Sequence, residues 1–487
     1  MTGVQTCALP IYLADERERF VYITEGSDSG WRLHWQFKER GWRKQTLLPD
    51  YNPWINERMW VPLHPGQPAH ITPPISNYSV GPSGFKYNPG TGLNDAYRNS
   101  FFLVQFPVQK ITTFKTRPHG AGFEMVDEQV LLSGMMASAV TFGPDGAMYI
   151  ADWDGMWNPD GKGAIWVLDD PAAAGSATRQ QVRNLLAEGM KTRSRELLRG
   201  LLAHADMRIR LRAQFELVRR HESSLLRQVA TDATADRLAR IHALWGIGQL
   251  RDRRLADALP YFDTDPEIRA QSARMAGDLH ASGAAAALIR LLGDSEPRVQ
   301  FHAAAALAKA GDVSAVPALV RILETNNNTD AFLRHACVYA LAGIGKTEPL
   351  RRLAAHPSAA VRVGATVALR RLGSPEVAAF LEDADPVVRL EAVRAIHDDD
   401  GIPTVLPRLA AILDESSSNA PEAITRRAIS AALRLGRRED ADRLMRFTLD
   451  TRRPEPMRGE AFEALASWDR TPALDRVESV EIGRAHV

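Results

Sequence analysis

The sequence is poor in cysteine, in long apolar runs and in net charge. Its two cysteines, Cys7 and Cys337, form no CxxC or CxxCH spacing, which excludes a c-type haem attachment site within the chain. Sixty basic residues nearly balance 59 acidic residues, so charge does not favour nucleic acid or anionic lipid as a partner. No run of about 18 apolar residues occurs, and we therefore expect no membrane span.

Motifs of several common enzyme classes are also missing. No GxSxG elbow, Walker loop or GxGxxG motif follows a predicted strand. Hydrolase, NTPase and nicotinamide-dependent activities therefore have no support in the sequence. At 487 residues the chain is long enough for more than one domain.

The two ends of the chain are related through their codons. TCALPI, residues 6–11, can be encoded by DNA whose reverse complement encodes IGRAHV, residues 482–487. Such an inverse copy is typical of adapter DNA from a sequencing library, so we interpret residues 1–11 and 482–487 as adapter-derived and leave them out of the fold prediction. Cys337 is then the one native cysteine, and we expect no internal disulfide.

Aromatic residues mark a change of character along the chain. Eight of the ten tryptophans and seven of the nine tyrosines lie before residue 170, whereas the remainder is rich in Ala, Leu and Arg. The change falls at DDPAAAGSATRQ, residues 169–180, whose composition suits a linker or the start of a helix. We predict a multidomain chain with a β-rich part over residues 12–170, a linker over 171–184 and a helical part over 185–478.

The first part has the pattern of short β-strands. RFVYITEG, TFKT and AMYIADW are rich in β-branched and aromatic residues and are separated by turn sequences such as GPSG, NPGTG and GPDG. Two Pro-Asp-Gly turns, at 144–146 and 159–161, flank AMYIADW and predict hairpins. Strands of this kind are typical of a sandwich, a barrel or a propeller.

The second part contains a repeated motif in which Arg, or once Gln, precedes a small residue by three positions. The motifs recur every 27 to 38 residues, which is the period of helical repeats. The nine pairs are Arg210/Ala213, Arg240/Ala243, Arg269/Ser272, Gln300/Ala303, Arg334/Cys337, Arg362/Ala365, Arg389/Ala392, Arg427/Ser430 and Arg458/Ala461.

The motif has a structural explanation. In DPEIR (265–269) and DPVVR (385–389), Asp can cap a helix whose first position is Pro. The Arg lies one turn further, where it can pair with an acid of its own or the next repeat, and the small residue lets neighbouring helices approach. Since neither helix of a pair can bury its apolar face alone, we expect the pairs to stack and interpret the arginines as structural rather than as a binding site.

Two resemblances follow from these stretches. Residues 185 to 470 resemble HEAT repeats of the short type also found in phycobilin lyases. Three blocks, at 25–37, 82–106 and 141–168, resemble the glucose/sorbosone dehydrogenase family, in the form that bacterial putative membrane-bound dehydrogenases carry ahead of HEAT repeats. The resemblance implies the last two or three blades of a six-bladed quinoprotein-type β-propeller, followed by a HEAT-repeat superhelix.

The family resemblance implies oxidation of a sugar, alcohol or aldehyde with pyrroloquinoline quinone (PQQ) and calcium, electron transfer to a cytochrome c domain, and a periplasmic or other extracytoplasmic location. The base and many cofactor contacts of such enzymes come from earlier blades, so we assign no catalytic residue and expect this chain to be inactive, without cofactor. The final strand also departs from the family pattern Gly-Arg-Ile-x-Arg, because residues 163–167 read GAIWV. The alternative is a non-catalytic scaffold, and in both cases the HEAT repeats bind a protein partner.

Few side chains suggest a metal site. Asp152, Asp154, Asn158 and Asp160 are spaced loosely as in a calcium loop but lack its ordered ligands, and an ordinary turn explains them as well. A zinc site is not expected from the histidines, of which His64 and His70 share a loop and His34 and His119 are single. The tryptophans at 31, 35, 153 and 157 are consistent with a sugar-binding rim or with packing between blades.

Overall fold

The fold was analysed in a computed structural model of the chain. It describes residues 11–15, 19–29, 53–58, 61, 64, 66–77, 81–153, 162–398, 401–415, 420–470, 472 and 475–478. The chain divides into two compact units. The first unit comprises Met1–Glu25 and Pro74–Ala318, and the second comprises Gly26–Pro73 and Leu319–Val487.

The β-strands of the described residues all belong to the first unit and form three antiparallel sheets. The strands are β1 (Ile11–Asp15), β2 (Arg19–Ile23), β3 (Ser76–Asn77), β4 (Pro82–Tyr87), β5 (Phe101–Gln105), β6 (Lys110–His119), β7 (Gly122–Ser133), β8 (Ala137–Phe142), β9 (Met148–Asp152) and β10 (Ala164–Leu168). The sheet orders are β1-β2-β3, β4-β5-β6-β7 and β10-β9-β8. Ile11, which the adapter interpretation excludes, lies in β1 and pairs with Ile23.

The middle sheet is covered on both faces. Because side chains alternate along a strand, Phe101 and Leu103 of β5 pack with Phe20 of the first sheet. Phe102 and Val104 point to the opposite side and pack with Met148 and other residues of the third sheet. The three sheets of this unit are therefore layered around two apolar cores.

The structure confirms the predicted strands in RFVYITEG, TFKT and AMYIADW. The first Pro-Asp-Gly turn closes the β8–β9 hairpin, where the amide of Gly143 donates to the Ala147 carbonyl at 2.9 Å. The second one, at 159–161, lies outside the described residues. Small antiparallel sheets are thus established, but they do not make a clear propeller, and the blades stay a prediction.

Helices fill the chain from residue 171 onward. They are α2 (Pro171–Ala174), α3 (Ala177–Glu188), α4 (Arg195–Leu201), α5 (Met207–Arg219), α6 (Ser223–Thr231), α7 (Arg237–Leu250), α8 (Pro266–Asp278), α9 (Ala285–Leu291), α10 (Pro297–Ala310), α11 (Val316–Asn326), α12 (Ala331–Ile344), α13 (Thr347–Arg352), α14 (Ala359–Arg371), α15 (Pro386–His397), α16 (Leu406–Ala411), α17 (Glu422–Leu435), α18 (Arg438–Leu449) and α19 (Glu455–Ala466). A short helix, α1 (Pro53–Asn56), comes earlier in the chain and belongs to the second unit. None of the described helices is long and apolar enough to cross a membrane.

Helix pairs are present, as predicted, and the repeated motif lies in the second helix of each pair. The nine Arg or Gln residues of the motif all lie in helices. In two repeats the 3₁₀ turns Arg253–Ala258 and Pro375–Phe380 take the place of the first helix. Asp265 and Asp385 cap α8 and α15 through their side chains, with Pro at the first helical position. The nine small residues of the motif are all buried: Ala213, Ala243, Ser272, Ala303, Cys337, Ala365, Ala392, Ser430 and Ala461.

The arginines form a ladder between consecutive repeats. Arg269 donates to both oxygens of Asp294, at 2.7 and 2.9 Å, and to the Asp263 carbonyl of its own repeat at 2.9 Å. One side chain therefore ties the loop before its own helix to the loop before the second helix of the next repeat. The same arrangement links Arg240 to Asp263, Arg362 to Asp383 and Arg389 to Glu415.

The ladder is not uniform. Arg210 donates to His242 of the next repeat at 3.1 Å, and Arg458 donates to the Thr448 carbonyl at 2.8 Å. Arg427 turns back to Asp398 of the preceding repeat, at 2.7 and 2.8 Å. Arg427 thereby joins a group of buried charged side chains.

The predicted linker region, 171–184, is mostly helical. Arg179 of α3 is buried and donates to the carbonyl of Thr91 at 3.1 Å and to Asp169 at 2.8 Å. Its guanidinium also bonds the Leu93 carbonyl. These bonds fix α3 against the turn before β5, and the linker assignment of residues 171–184 stays a prediction.

Candidate functional site

Charged side chains are concentrated in the interior of the second unit. We call one group the His397 cluster, and its members are His397, Asp398, Arg427, Ser430, Arg434, Asp475 and Glu478. Arg434 is partly buried and the others are buried. Since buried charges are costly unless paired, such a group is the best candidate for a functional site among the described residues.

Three chain segments build the His397 cluster. His397 is the last residue of α15, and Asp398 follows as its C-cap. Helix α17 contributes Arg427, Ser430 and Arg434, whose spacing of three and four positions places them on one face. Asp475 and Glu478 come from a turn in which Asp475 accepts the Glu478 amide at 2.8 Å.

His397 lies between two carboxylates. Its Nδ1 is 2.9 Å from Oδ1 of Asp398, and its Nε2 is 3.5 Å from Oδ2 of Asp475. The ring is fully buried, and Nε2 makes no hydrogen bond with the described residues. A buried ring nitrogen in this position calls for a proton directed at Asp475.

Both carboxylates are ionised in the folded chain. Burial disfavours the charge of Asp398, but Arg427 and the hydrogen bond with His397 hold its pKa well below the ordinary value. Burial also opposes ionisation of Asp475, whose pKa is nevertheless held well below its ordinary value by His397, Arg434 and the Ser430 hydroxyl. The Ser430 and Arg434 contacts to Asp475 measure 2.5 and 2.8 Å.

A second charged group anchors the segment that contains α1. Glu57 pairs with Arg394 and with Arg427, the latter at 2.7 Å. Glu391, which also pairs with Arg394, accepts the Ala69 amide at 3.0 Å. Burial raises and Arg394 lowers the pKa of Glu391, and the net effect is a pKa well below the ordinary range. Glu57 and the Ala69 backbone are therefore fastened to α15 and α17 by buried ion pairs and a hydrogen bond.

Of the predicted calcium-loop residues, the structure describes Asp152. Asp152 lies at the end of β9 and accepts the Trp166 indole N–H at 2.9 Å, an interaction within the β-sheet. Asp154, Asn158 and Asp160 lie outside the described residues. The calcium loop therefore stays a prediction.

The singled-out histidines are dispersed. His64 lies 3.1 Å from the Arg58 carbonyl, and His70 lies 3.4 Å from Glu391. His119 is exposed, 3.8 Å from Glu124, and His34 is outside the described residues. Of the singled-out tryptophans, Trp153 is described, and its ring centroid lies 6.5 Å from that of Phe106.

Sequence reasoning missed the His397 cluster. Arg427 and Ser430 appeared only as a repeat motif, and Asp475 lies 45 positions from Ser430. The available signal was HDDD, residues 397–400, a histidine followed by acids directly after a predicted helix. By itself that pattern also suits an exposed helix end.

Comparison with known proteins supports the HEAT repeats. The family model of HEAT repeats matches residues 259–342, and no curated protein matches the chain. An engineered protein of known structure is 18% identical over 61% of this chain and 92% of its own, with a TM-score of 0.30. The complex of CpcE and CpcF of phycocyanin lyase from Nostoc is 22% identical over 44% of this chain and 86% of its own, with a TM-score of 0.24.

A further solved structure, human deoxyhypusine hydroxylase, is 18% identical over 52% of this chain and 98% of its own, with a TM-score of 0.21. Because these TM-scores are low, the repeat assignment depends on the family match and on the stacked helix pairs. In each unit, second helices of successive repeats pack together, as α8 does with α10 and α12 with α14. Residues 259–342 therefore match HEAT repeats, and they lie in a helical part that is built of stacked helix pairs.

Proposed function

We propose that this chain is a protein-binding scaffold whose HEAT repeats provide the interaction surface. The observation that supports it is a group of exposed apolar side chains on α18 and α19. Met445, Leu449 and Phe462 are 49%, 70% and 61% exposed. Exposed apolar side chains on neighbouring elements are typical of protein-interaction sites, and α18 and α19 pack against each other.

The two helices already bury a separate apolar face. Leu444 and Phe447 of α18 and Ala461 of α19 are buried, so the exposed set is additional to the core. Met445 and Leu449 are four positions apart and lie on one side of α18. Phenylalanine and methionine are enriched in the centres of interfaces, and the partner is therefore expected to present an apolar surface.

The test is affinity capture with the wild type and the double variant Leu449→Gln/Phe462→Gln. Leu197→Gln is the matched control, because Leu197 is 42% exposed on α4 of the same repeat family. We expect a discrete partner to bind the wild type and the control. With purified partner, the double variant should bind about 30-fold more weakly, which corresponds to a loss of ~2 kcal/mol.

Equal affinities for all three proteins, each with wild-type helical content by circular dichroism, would contradict an interface on α18 and α19. A partner lost equally from the control would contradict the location of the surface. Both outcomes are read from the same titration.

A finer proposal comes from the β-rich part. Its layered antiparallel sheets and the three blocks at 25–37, 82–106 and 141–168 are consistent with terminal blades of a quinoprotein-type propeller. In that case the natural protein is a longer extracytoplasmic dehydrogenase that uses PQQ and calcium and passes electrons to a cytochrome c domain. The present chain, mixed with PQQ, calcium and a sugar, should not reduce a redox dye, whereas the longer protein should. Turnover by this chain alone would contradict the proposal.

A further inference from the structure

We propose that the His397 cluster binds a divalent metal ion through His397, Asp398 and Glu478. One ligand atom from each of these residues lies within 4.8 Å of the others, and all three residues are buried. Zinc holds nitrogen and oxygen ligands at about 2.0–2.2 Å in a tetrahedral arrangement, so two ligands of one ion lie about 3.5 Å apart. The three atoms therefore need to approach one another by at most about 1.3 Å.

The hydrogen bonds around His397 already resemble those of a metal ligand. A metal-bound histidine usually donates its second ring N–H to a carboxylate, which fixes the ring and its tautomer. Here Nε2 lies 3.5 Å from Oδ2 of Asp475, which is placed to receive this proton, and Nδ1 lies 2.9 Å from Oδ1 of Asp398. With the proton on Nε2, the lone pair of Nδ1 and the Asp398 carboxylate can bind the same ion.

Asp398 retains capacity to bind an ion beside Arg427. An ionised carboxylate offers about four lone-pair positions. Oδ1 accepts from Arg427 and lies 2.9 Å from Nδ1 of His397, and Oδ2 accepts one further Arg427 hydrogen at 2.8 Å. Lone pairs remain on this carboxylate when Nδ1 carries no proton, so the ion and the guanidinium can share it.

The ligand set selects the kind of ion. One imidazole nitrogen and two carboxylate oxygens suit Zn²⁺ or Mn²⁺, whereas Ca²⁺ takes six to eight oxygen ligands. Zn²⁺ is the sharper probe because it accepts a four-coordinate site. The competing occupant is a proton on Nδ1 directed at Asp398, and in that case no ion binds.

The experiment uses the full chain, stripped with EDTA and dialysed, and titrated with Zn²⁺ in a calorimeter. We expect one ion per chain with micromolar or tighter affinity, an increase in melting temperature with added Zn²⁺, and at least a tenfold weaker affinity in Glu478→Gln. His302→Gln is the matched control, since His302 is another buried histidine whose Nε2 makes no hydrogen bond with the described residues. It should bind Zn²⁺ as the wild type does.

His397→Gln should lose Zn²⁺ binding. If His397→Gln does not fold, Glu478→Gln still tests the site. Absence of stoichiometric Zn²⁺ or Mn²⁺ binding by the folded wild type would overturn the proposal in favour of the proton. Unchanged affinity in Glu478→Gln would overturn the assigned ligands.

Discussion

Replacing Gly277 by alanine should destabilise the chain, although the same change stabilises most helices. Gly277 lies in α8 and faces α10. A Cβ added at this position would lie 2.9 Å from Cα and 3.0 Å from Cβ of Ala306. Carbon atoms pack best about 3.5–4.0 Å apart, and these two atoms cannot rotate away because they belong to the backbone or are fixed to it.

The sign of the effect follows from two opposing terms. Alanine is favoured over glycine in a helix interior by about 1 kcal/mol. Relief of the contact requires α8 and α10 to separate by about 0.5–1 Å, which weakens dispersion contacts along their interface. Overpacking of this kind costs about 1–3 kcal/mol, so we expect Gly277→Ala to lower the free energy of unfolding by about 1 kcal/mol.

The assay is urea denaturation followed by circular dichroism, with Gly200→Ala as the control. Gly200 also lies inside a helix, α4, but no atom would come within 4 Å of its added Cβ. The control should therefore become more stable by about 0.5–1 kcal/mol. If Gly277→Ala is stabilised like the control, the close approach of the two helices is wrong.

Three further predictions concern buried or paired groups. Burial raises the pKa of the Cys337 thiol, so iodoacetamide should label Cys337 only after denaturation, and labelling of the native chain in a peptide map would contradict its position. Hydrogen bonds from Arg219 and Arg220, opposed by burial, lower the pKa of Glu216 from 4.5 to about 2. The contribution of Glu216 to stability is therefore complete above about pH 4.5 and is lost between pH 4.5 and 2. In Glu216→Gln, the free energy of unfolding should depend less on pH in this window. Arg427→Met leaves Asp398 buried without its bidentate partner and should cost about 3–5 kcal/mol in urea unfolding; a cost below about 1 kcal/mol would show that this ion pair does not hold α17 to α15.

The repeats could be predicted because their signals are local. The cap of α8 is encoded within the five residues DPEIR, and the small residue three positions after Arg269 is Ser272, which is buried. The Arg, or once Gln, and the small residue recur in every repeat, so the period could be recognised even across the insertion between Arg389 and Arg427. An acidic partner in the next repeat follows from this regularity for Arg240, Arg269, Arg362 and Arg389.

The charged interior could not be predicted in the same way. Glu57 and Arg427 are 370 positions apart, and His70 and Glu391 are 321 apart. Nothing in their local sequence indicates that these residues meet, because no periodic pattern links the region around α1 to the repeats. The strands were predictable from composition, but the packing of three sheets around β5 depends on side-chain contacts between distant segments.

The most direct test of the account is a double-mutant cycle between Arg269 and Asp294, which join consecutive repeats at 2.7 and 2.9 Å. The pKa of Asp294 is lowered by Arg269 against the effect of burial, as expected for a close ion pair. We predict a coupling free energy of about 1–2 kcal/mol between Arg269→Met and Asp294→Asn in urea denaturation. A coupling indistinguishable from zero would contradict the claim that the arginine ladder binds each repeat to the next.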